Sequence, residues 1–500
     1  MVFLLNNIQS LSQKGDFKIK HKIITRLFTF FFFISCFVLS QEKHYYQTDF
    51  SKETFNTRRA KVFKEIGNKA IALVQGASGV DGFDVFRQSN SFYYLCGLET
   101  PHAYLLLDGR NKKTTLYLPH RDAGRERGEG KILSAEDADL IIKLTGVDQV
   151  RGVESLSVNL VGGLIRPPAP ILYTPFSPAE TGADSRDELL RGQARVSGDP
   201  WDGAPSREAR FMKLIKDRMP QFAMRDLSPI LDEMRMVKDP KEIDLIRKAT
   251  QIAGLAIMEA MRSTKPGVYE YQLDAAAKYI FHLNGAQGEG YSSIIGGGTN
   301  AWMGHYFRKT DKLVSGDLVL MDYAPDYHYY TSDVTRMWPV NGKFTDAQQK
   351  LCNYIIAYRD ALFRYIRPGI TSNEVLDLAA KDMEKYLVDK TFANPAHLKA
   401  VKAGIKFRGH FQHPVGMAVH DVGRARGVIL KPGMIFTIDP MIWIPEEKLY
   451  YRIEDMALVT KNGVENMSAF VPTQLKDIER AMKKKGLIQF RPAKSLPLNK

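Results

Sequence analysis

Five hundred residues with 44% hydrophobic and 25% charged side chains make an ordinary globular chain, too polar for a membrane bundle and too apolar for a disordered segment. That length exceeds what one hydrophobic core organises, so two domains are expected. The formal charge of +14 comes without a long Lys/Arg block or an aromatic-interleaved basic motif, which excludes nucleic acid as the expected partner and points to a solvated basic surface.

The chain opens with a basic stretch from Lys14 to Arg26, followed by LFTFFFFISCFVLS over 27–40. A bilayer span needs about 20 apolar residues, so this shorter run reads as the core of a signal peptide, with Val38 and Ser40 at positions −3 and −1 of a cut before Gln41. Residues 1–40 are expected to leave, giving an exported chain, periplasmic or secreted, with no stable membrane span; a lipoprotein or membrane anchor is the alternative. Without them, 65 basic and 55 acidic side chains remain, a formal +10. Three cysteines build no disulfide framework, and Cys96 and Cys352 read as small buried apolar residues.

Residues 50–165 alternate strands and helices, with IALVQG (71–76), YLLLD (104–108) and TLYLP (115–119) as short apolar strands, which predicts an α/β domain. Residues 166–227 include RPPAPILYTPFSPAETGADS and SGDPWDGAPS, dense in Pro, Gly, Ser and Asp, and read as an insert and linker. A second domain is expected over 228–486, with 487–500 as a tail. Its first helix carries Ile243, Ile246, Thr250, Ala253, Ile257 and Met261 at helical spacing and stops at Lys265-Pro266-Gly267. A later helix over 345–366 stops likewise at Arg367-Pro368-Gly369, and amphipathic helices at 271–283 and 373–387 follow the two turns. Helix, PG turn, helix and strands, occurring twice, predict two similar halves.

The strands after each helix pair hold acids. LVLMDYAPDYHYYTSDVTRMWPV places Asp322 at the end of an apolar strand and Asp333 in the next; FTIDP and YYRIEDMALVT place Asp439 and Glu454 likewise, inside strands. Buried carboxylates need a countercharge. Ordinary ion pairs with Arg336 and Arg452 would supply it for any one of them, but four acids at matching places in two halves favour metal. His413 and His420, in HFQHPVGMAVHDVG, add imidazole to an oxygen-rich set suited to two divalent ions, Mn²⁺, Co²⁺ or Zn²⁺. Two such ions sharing carboxylates activate water, so the expected reaction is hydrolysis.

Here the chain resembles the pita-bread metallopeptidases, and among them aminopeptidase P. FNTRRAKVF (55–63), FRQSNSFYYLCGLETPHA (86–103) and TLYLPHRD (115–122) are similar to the creatinase-like N-terminal lobe of aminopeptidase P and prolidase. RMVKDPKEIDLIRKA, HYFRKTDKLVSGDLVLMDYAPDY, SDVTRMWPVNGKF, VHDVG, LKPGMIFTIDP and YRIEDMALVT are similar to the catalytic domain. The resemblance implies an α/β creatinase-like lobe followed by a pita-bread α+β domain of two pseudo-symmetric halves. It implies hydrolysis of the bond before a penultimate proline in short peptides, with homo-oligomers common. It also implies that Asp322 chelates one metal, that Asp333 and Glu454 bridge both, and that His413 and Asp439 complete the second. His305 and His420 would serve the substrate, His420 donating to the carbonyl as a neutral imidazole, and Arg452 would support the carboxylates. Two features depart from the family: Asp439 stands where glutamate is usual, and Gly409 where a histidine often precedes His413, leaving His410 without a role. A dipeptidase acting on Xaa-Pro, a non-catalytic binding scaffold and a metal-free creatinase-like hydrolase are the other readings.

Overall fold

A computed structural model of the chain describes residues 46–80, 84–164, 171–388 and 392–491; the expected signal segment and residues 492–500 of the tail lie outside the described residues. The first described helix, α1 (Lys52–Ile66), buries Phe55, Val62 and Ile66 and two arginines. Those arginines explain the FNTRRAKVF motif: Arg59 donates to the Leu95 carbonyl at 2.8 Å, and Arg58 reaches both the Tyr94 carbonyl and Asp239 of the second domain.

Six strands follow: β1 (Ala70–Gln75), β2 (Tyr104–Asp108), β3 (Lys113–Leu118), β4 (Gln149–Gly152), β5 (Ile171–Thr174) and β6 (Ala223–Asp226). They form one mixed sheet in the order β4-β3-β2-β1-β5-β6, with β5 and β6 running parallel to β1. The stretch 166–227 is therefore not only an insert and linker. It adds two strands to the N-terminal sheet and contributes α2 (Arg186–Ser197) and α3 (Arg207–Arg218). Ile215, Met219 and Phe222 join Ile71, Leu73, Leu160 and Leu172 in the core of this lobe. Four-residue strands set among prolines and glycines are too short to show a period.

The catalytic domain opens with α4 (Ser228–Met236) and α5 (Pro240–Ser263). Asp239 accepts the N–H groups of Lys241 and Glu242 while Glu242 reaches back to the Asp239 N–H, a capping box that starts α5. α6 (Glu270–Leu283) packs on it, and α7 (Asp346–Tyr365) and α8 (Ser372–Met383) form the second pair; α8 stops four residues short of the expected 387. Gly267 and Gly369 have φ of 89° and 85°, the left-handed region that favours glycine. Each donates its N–H at 2.9 Å to a leucine carbonyl, Leu313 in one half and Leu430 in the other. The site aspartate lies nine residues beyond each leucine (313 to 322, 430 to 439), so the two halves repeat in detail. In the first half, β7 (Ile294–Gly297), β8 (Leu318–Asp322) and β9 (Thr335–Pro339) form an antiparallel sheet. In the second, β10 (Phe411–Pro414), β11 (Ile435–Ile438), β14 (Asp455–Thr460) and β15 (Gly463–Asn466) do so, beside the hairpin of β12 (Met441–Ile444) and β13 (Leu449–Arg452). Cys96 and Cys352 are both buried. Among the described residues no helix is long and apolar enough to cross a membrane.

Candidate metal centre

Each sheet delivers its acids where paired strands end. Asp322 closes β8 opposite Thr335 of β9, with Asp333 two residues ahead of that strand. Asp439 follows β11, and Glu454 precedes β14, whose first residue faces Ile438. The sheets meet at a bridge in which Thr335 and Glu454 exchange backbone hydrogen bonds of 3.3 and 3.1 Å, and Thr335 Oγ1 donates to Glu454 Oε2 at 2.9 Å. Four carboxylates thus converge from two halves, none of them more than 3% exposed.

One guanidinium serves three of them. Arg452 donates to Asp322 at 2.6 Å, to Asp439 at 2.9 Å and to Glu454 at 2.5 Å. Arg336, the other candidate countercharge, pairs with Asp455 at 2.6 Å and caps the backbone carbonyls of Thr335 and Glu454. The Tyr291 hydroxyl oxygen lies 2.6 Å from Asp322 Oδ1 and 2.9 Å from Asp333 Oδ1, within donating distance of either. Glu454 Oε1 is buried with no hydrogen-bond partner.

The protein's own groups leave this cluster too negative. Burial, then the neighbouring charges of Glu454 and Asp322, push the Asp333 carboxyl well above its ordinary range. Burial raises Asp439 too, outweighing Arg452, and raises Glu454. Burial, and next the charge of His420, hold the His413 imidazole well below its usual pKa and so neutral. His413 Nδ1 is 3.3 Å from the Pro414 carbonyl, which leaves Nε2 facing Asp333 at 3.5 Å. Ligand atoms of Asp333, His413 and Glu454 lie within 4.8 Å of one another. Excess buried carboxylate, an orphan carboxylate oxygen and a neutral imidazole with a free nitrogen are the donor set of a hard or borderline divalent cation, so these residues fit such ions.

The other expected residues divide. His420 packs its ring 4.0 Å from that of His413, and its Nδ1 meets the Asp187 carboxylate at 3.1 and 3.3 Å. A neutral ring with its proton on Nδ1 accepts at Nε2, so donation from there needs protons on both nitrogens, unlike the neutral donor the resemblance implies. His305 lies exposed on the loop after the short turn Gly298–Trp302, with no hydrogen bond to the carboxylates among the described residues. His410 stays outside the cluster: Nε2 donates to the Gly404 carbonyl at 2.6 Å and Nδ1 accepts the Met441 N–H at 3.2 Å. Burial lowers its pKa to about 4, which makes it a neutral strut. At Gly409 a Cβ would come within 2.4 Å of the Phe407 ring, so a histidine there would displace that ring.

Sequence reasoning missed Tyr291, Asp187 and Gln412, whose Nε2 donates to Asp439 Oδ2 at 3.2 Å. Gln412 stands beside His413, where regular alternation would have turned it to the opposite face; the register shifts between Phe411 and Pro414. Tyr291 and Asp187 are brought in by tertiary packing alone.

Residues 244–461 match the family model of metallopeptidase family M24, and residues 55–164 match that of the aminopeptidase P N-terminal domain. Xaa-Pro aminopeptidase of Escherichia coli K12 is 29% identical over 468 residues, spanning 87% of this chain and 98% of that protein. Xaa-Pro aminopeptidase 3 of Rattus norvegicus is 30% identical over 412 residues, 79% of this chain and 76% of that one. Among solved structures, proline aminopeptidase P II from Yersinia pestis superposes with a TM-score of 0.71 at 28% identity, over 87% of this chain and 100% of that chain. Aminopeptidase P from Escherichia coli with the inhibitor Pro-Leu gives 0.70 at 27%, over 87% and 99%.

Proposed function

Because the chain belongs to metallopeptidase family M24 and carries the aminopeptidase P N-terminal domain ahead of its catalytic one, we propose that it is a metal-dependent Xaa-Pro aminopeptidase, releasing the first residue of short peptides whose second residue is proline. The observation that carries this reading is the set of four buried carboxylates, facing one guanidinium and one neutral imidazole, assembled from both halves of the domain.

In this reading Asp322 would hold one cation, Asp333 and Glu454 would serve both, and His413 and Asp439 would hold the second. The oxygen-rich set favours manganese, with cobalt or zinc as substitutes. Divalent ions in such a site supply Lewis acidity and a water of lowered pKa. The chain's own residues do the rest. Arg452 holds Asp322, Asp439 and Glu454 in register. Tyr291 fixes the facing oxygens of Asp322 and Asp333. His420 turns toward the peptide on the proline side and steadies its carbonyl as negative charge develops there. His305, on its exposed loop, serves the substrate side, assisting proton transfer or holding the peptide.

Incubating purified, manganese-loaded protein with Xaa-Pro-Yaa tripeptides and Xaa-Pro dipeptides side by side tests the proposal. Release of the first residue from the tripeptides, with the dipeptides spared, is the expected result. Cleavage of dipeptides alone would make the enzyme a prolidase, and no cleavage of either would leave a binding scaffold. We also read residues 1–40 as an export signal, on their basic start and short apolar run; mass spectrometry of the mature N-terminus should find Gln41.

A further inference from the structure

The segment leading into α2 comes from the stretch that reads as a linker in sequence, yet it ends against His420. Glu180 is wholly buried and pairs with Arg186 at 2.9 Å and Arg235 at 3.4 Å, while Arg186 also reaches Asp232 of α4 at 2.8 Å. The Glu180 carbonyl accepts the Asn90 N–H at 3.0 Å. These bonds clamp the chain on the approach to Ser185. Ser185 Oγ then accepts the backbone N–H of His420 at 3.1 Å, and in the first turn of the helix Asp187 offers both carboxylate oxygens to His420 Nδ1.

An imidazole left to itself turns about a broad χ2 torsion and exchanges the roles of its two nitrogens. Here the backbone of His420 is held by Ser185 and its Nδ1 by Asp187, so Nε2 is the nitrogen that remains for a ligand. We propose that Asp187 is a positioning residue for the peptidase reaction: its carboxylate accepts the Nδ1–H and sets the rotation of the His420 ring, so that Nε2 is the nitrogen turned to the substrate. This rests on the reading of His420 as a substrate contact. Asp187 also pairs with Arg191 at 3.0 Å, four residues on, but Arg191 is 61% exposed and such a pair contributes little. A merely helix-stabilising Asp187 would not need the buried clamp of Glu180 and Arg186 before it.

The test is a double-mutant cycle on the manganese-loaded, full-length enzyme with an Xaa-Pro-Yaa tripeptide, with metal content checked by elemental analysis. Asp187→Ala should keep its metals and lose about 10- to 100-fold in kcat with KM little changed, the range seen when a histidine's outer carboxylate is removed. Asp187→Asn, whose carbonyl oxygen still accepts from Nδ1, should recover most of that loss. His420→Ala should lose about 10²- to 10³-fold, and adding Asp187→Ala to it should lose nothing more, because no ring remains to be positioned. Arg191→Ala should match the unmodified enzyme. Two outcomes overturn the proposal alone: an Asp187→Ala enzyme of full activity, or a loss that persists undiminished in the double variant. A fully active His420→Ala enzyme would instead remove the substrate-contact reading, and this proposal with it.

Discussion

Two clusters of buried charge involve the catalytic domain, one of them shared with the segment before it, and they are balanced differently. In one, Glu180, Asp232 and Asp421 answer Arg186, Arg235 and Lys238; Asp421 meets Arg235 at 2.5 Å and Lys238 at 3.3 Å. In the other, Asp322, Asp439 and Glu454 share Arg452, and Asp333 pairs with no Lys or Arg among the described residues. Asp421 and Asp333 are equally lost to solvent, and burial pushes both carboxyls upward. Arg235 and Lys238 overcome that push and hold Asp421 below the ordinary range, whereas the neighbouring acids add to it and hold Asp333 far above. A closed charge balance marks a structural tie, here the one holding the HDVG turn that carries His420. An open one marks the place where the protein's side chains supply too little positive charge.

The sharpest way to break this comparison is to remove one acid from each cluster. Asp333→Ala or Glu454→Ala should release both metals, measured by elemental analysis, and lower kcat/KM by about 10³ or more, while the fold survives because like-charge repulsion is relieved. Full retention of two metals in either variant would contradict the bridging assignment. Asp421→Ala should do the reverse. It takes the Asp421 charge from Lys238, leaves Arg235 with Glu180 and should cost about 3–5 kcal/mol of stability, read from the urea midpoint, while two metals stay bound at saturating manganese. Metal loss without destabilisation would show that the clusters had been assigned the wrong way round.

The two histidines near the open cluster sharpen the same contrast. His413 presents Nε2 to Asp333, whereas His420 has its Nδ1 on Asp187. His413→Ala should lose affinity for one metal. His420→Ala should keep both and lose about 10²- to 10³-fold in kcat/KM for a tripeptide, or about 3–4 kcal/mol of transition-state stabilisation. Metal titrations of the two variants settle the order, and an exchange of these outcomes would exchange the roles.

How much of this could be read from the sequence depends on how each residue reaches the site. Asp322 and Asp439 end apolar strands in repeated halves, so pattern alone exposed them, and the motifs around Asp333, His413 and Glu454 did the same. The PG turns announced the repeat, and the matching φ angles at Gly267 and Gly369 bear it out. By residue pattern Arg336 and Arg452 looked equivalent, each placed beside an acid; the resemblance singled out Arg452, and packing sends Arg336 to Asp455 and Arg452 to the centre. Asp187 was illegible for a related reason. It is carried in from a chain segment more than two hundred residues distant from His420 (187 to 420) by a fold that the Pro- and Gly-rich composition of that segment does not announce. Strands β5 and β6 were hidden by the same composition.

The smallest expected effect concerns His410, which the sequence could not assign and which the structure turns into a neutral strut between Gly404 and Met441. Its ring sits just outside the open cluster, and its backbone carbonyl accepts the Asp439 N–H at 2.8 Å. Burial lowers its pKa from 6.5 to about 4. Between those values the unfolded chain carries the proton and the folded chain does not. Stability from this group is therefore complete above pH 6.5, falls as the pH drops and is gone near pH 4, a difference of up to about 3 kcal/mol. His410→Gln keeps an N–H for the Gly404 carbonyl and an acceptor for the Met441 N–H but cannot titrate. Urea midpoints of both proteins across pH 7 to 4.5, with chelator present so that metal release does not enter, isolate the effect, because His413 titrates in both. The wild-type advantage should shrink toward low pH by up to about 1.4 kcal/mol per pH unit. Parallel pH profiles would mean that His410 takes up its proton as readily in the folded chain as in the unfolded one, which at the lower pH would put a cation beside Asp439 and partly close the balance on which the metal assignment depends.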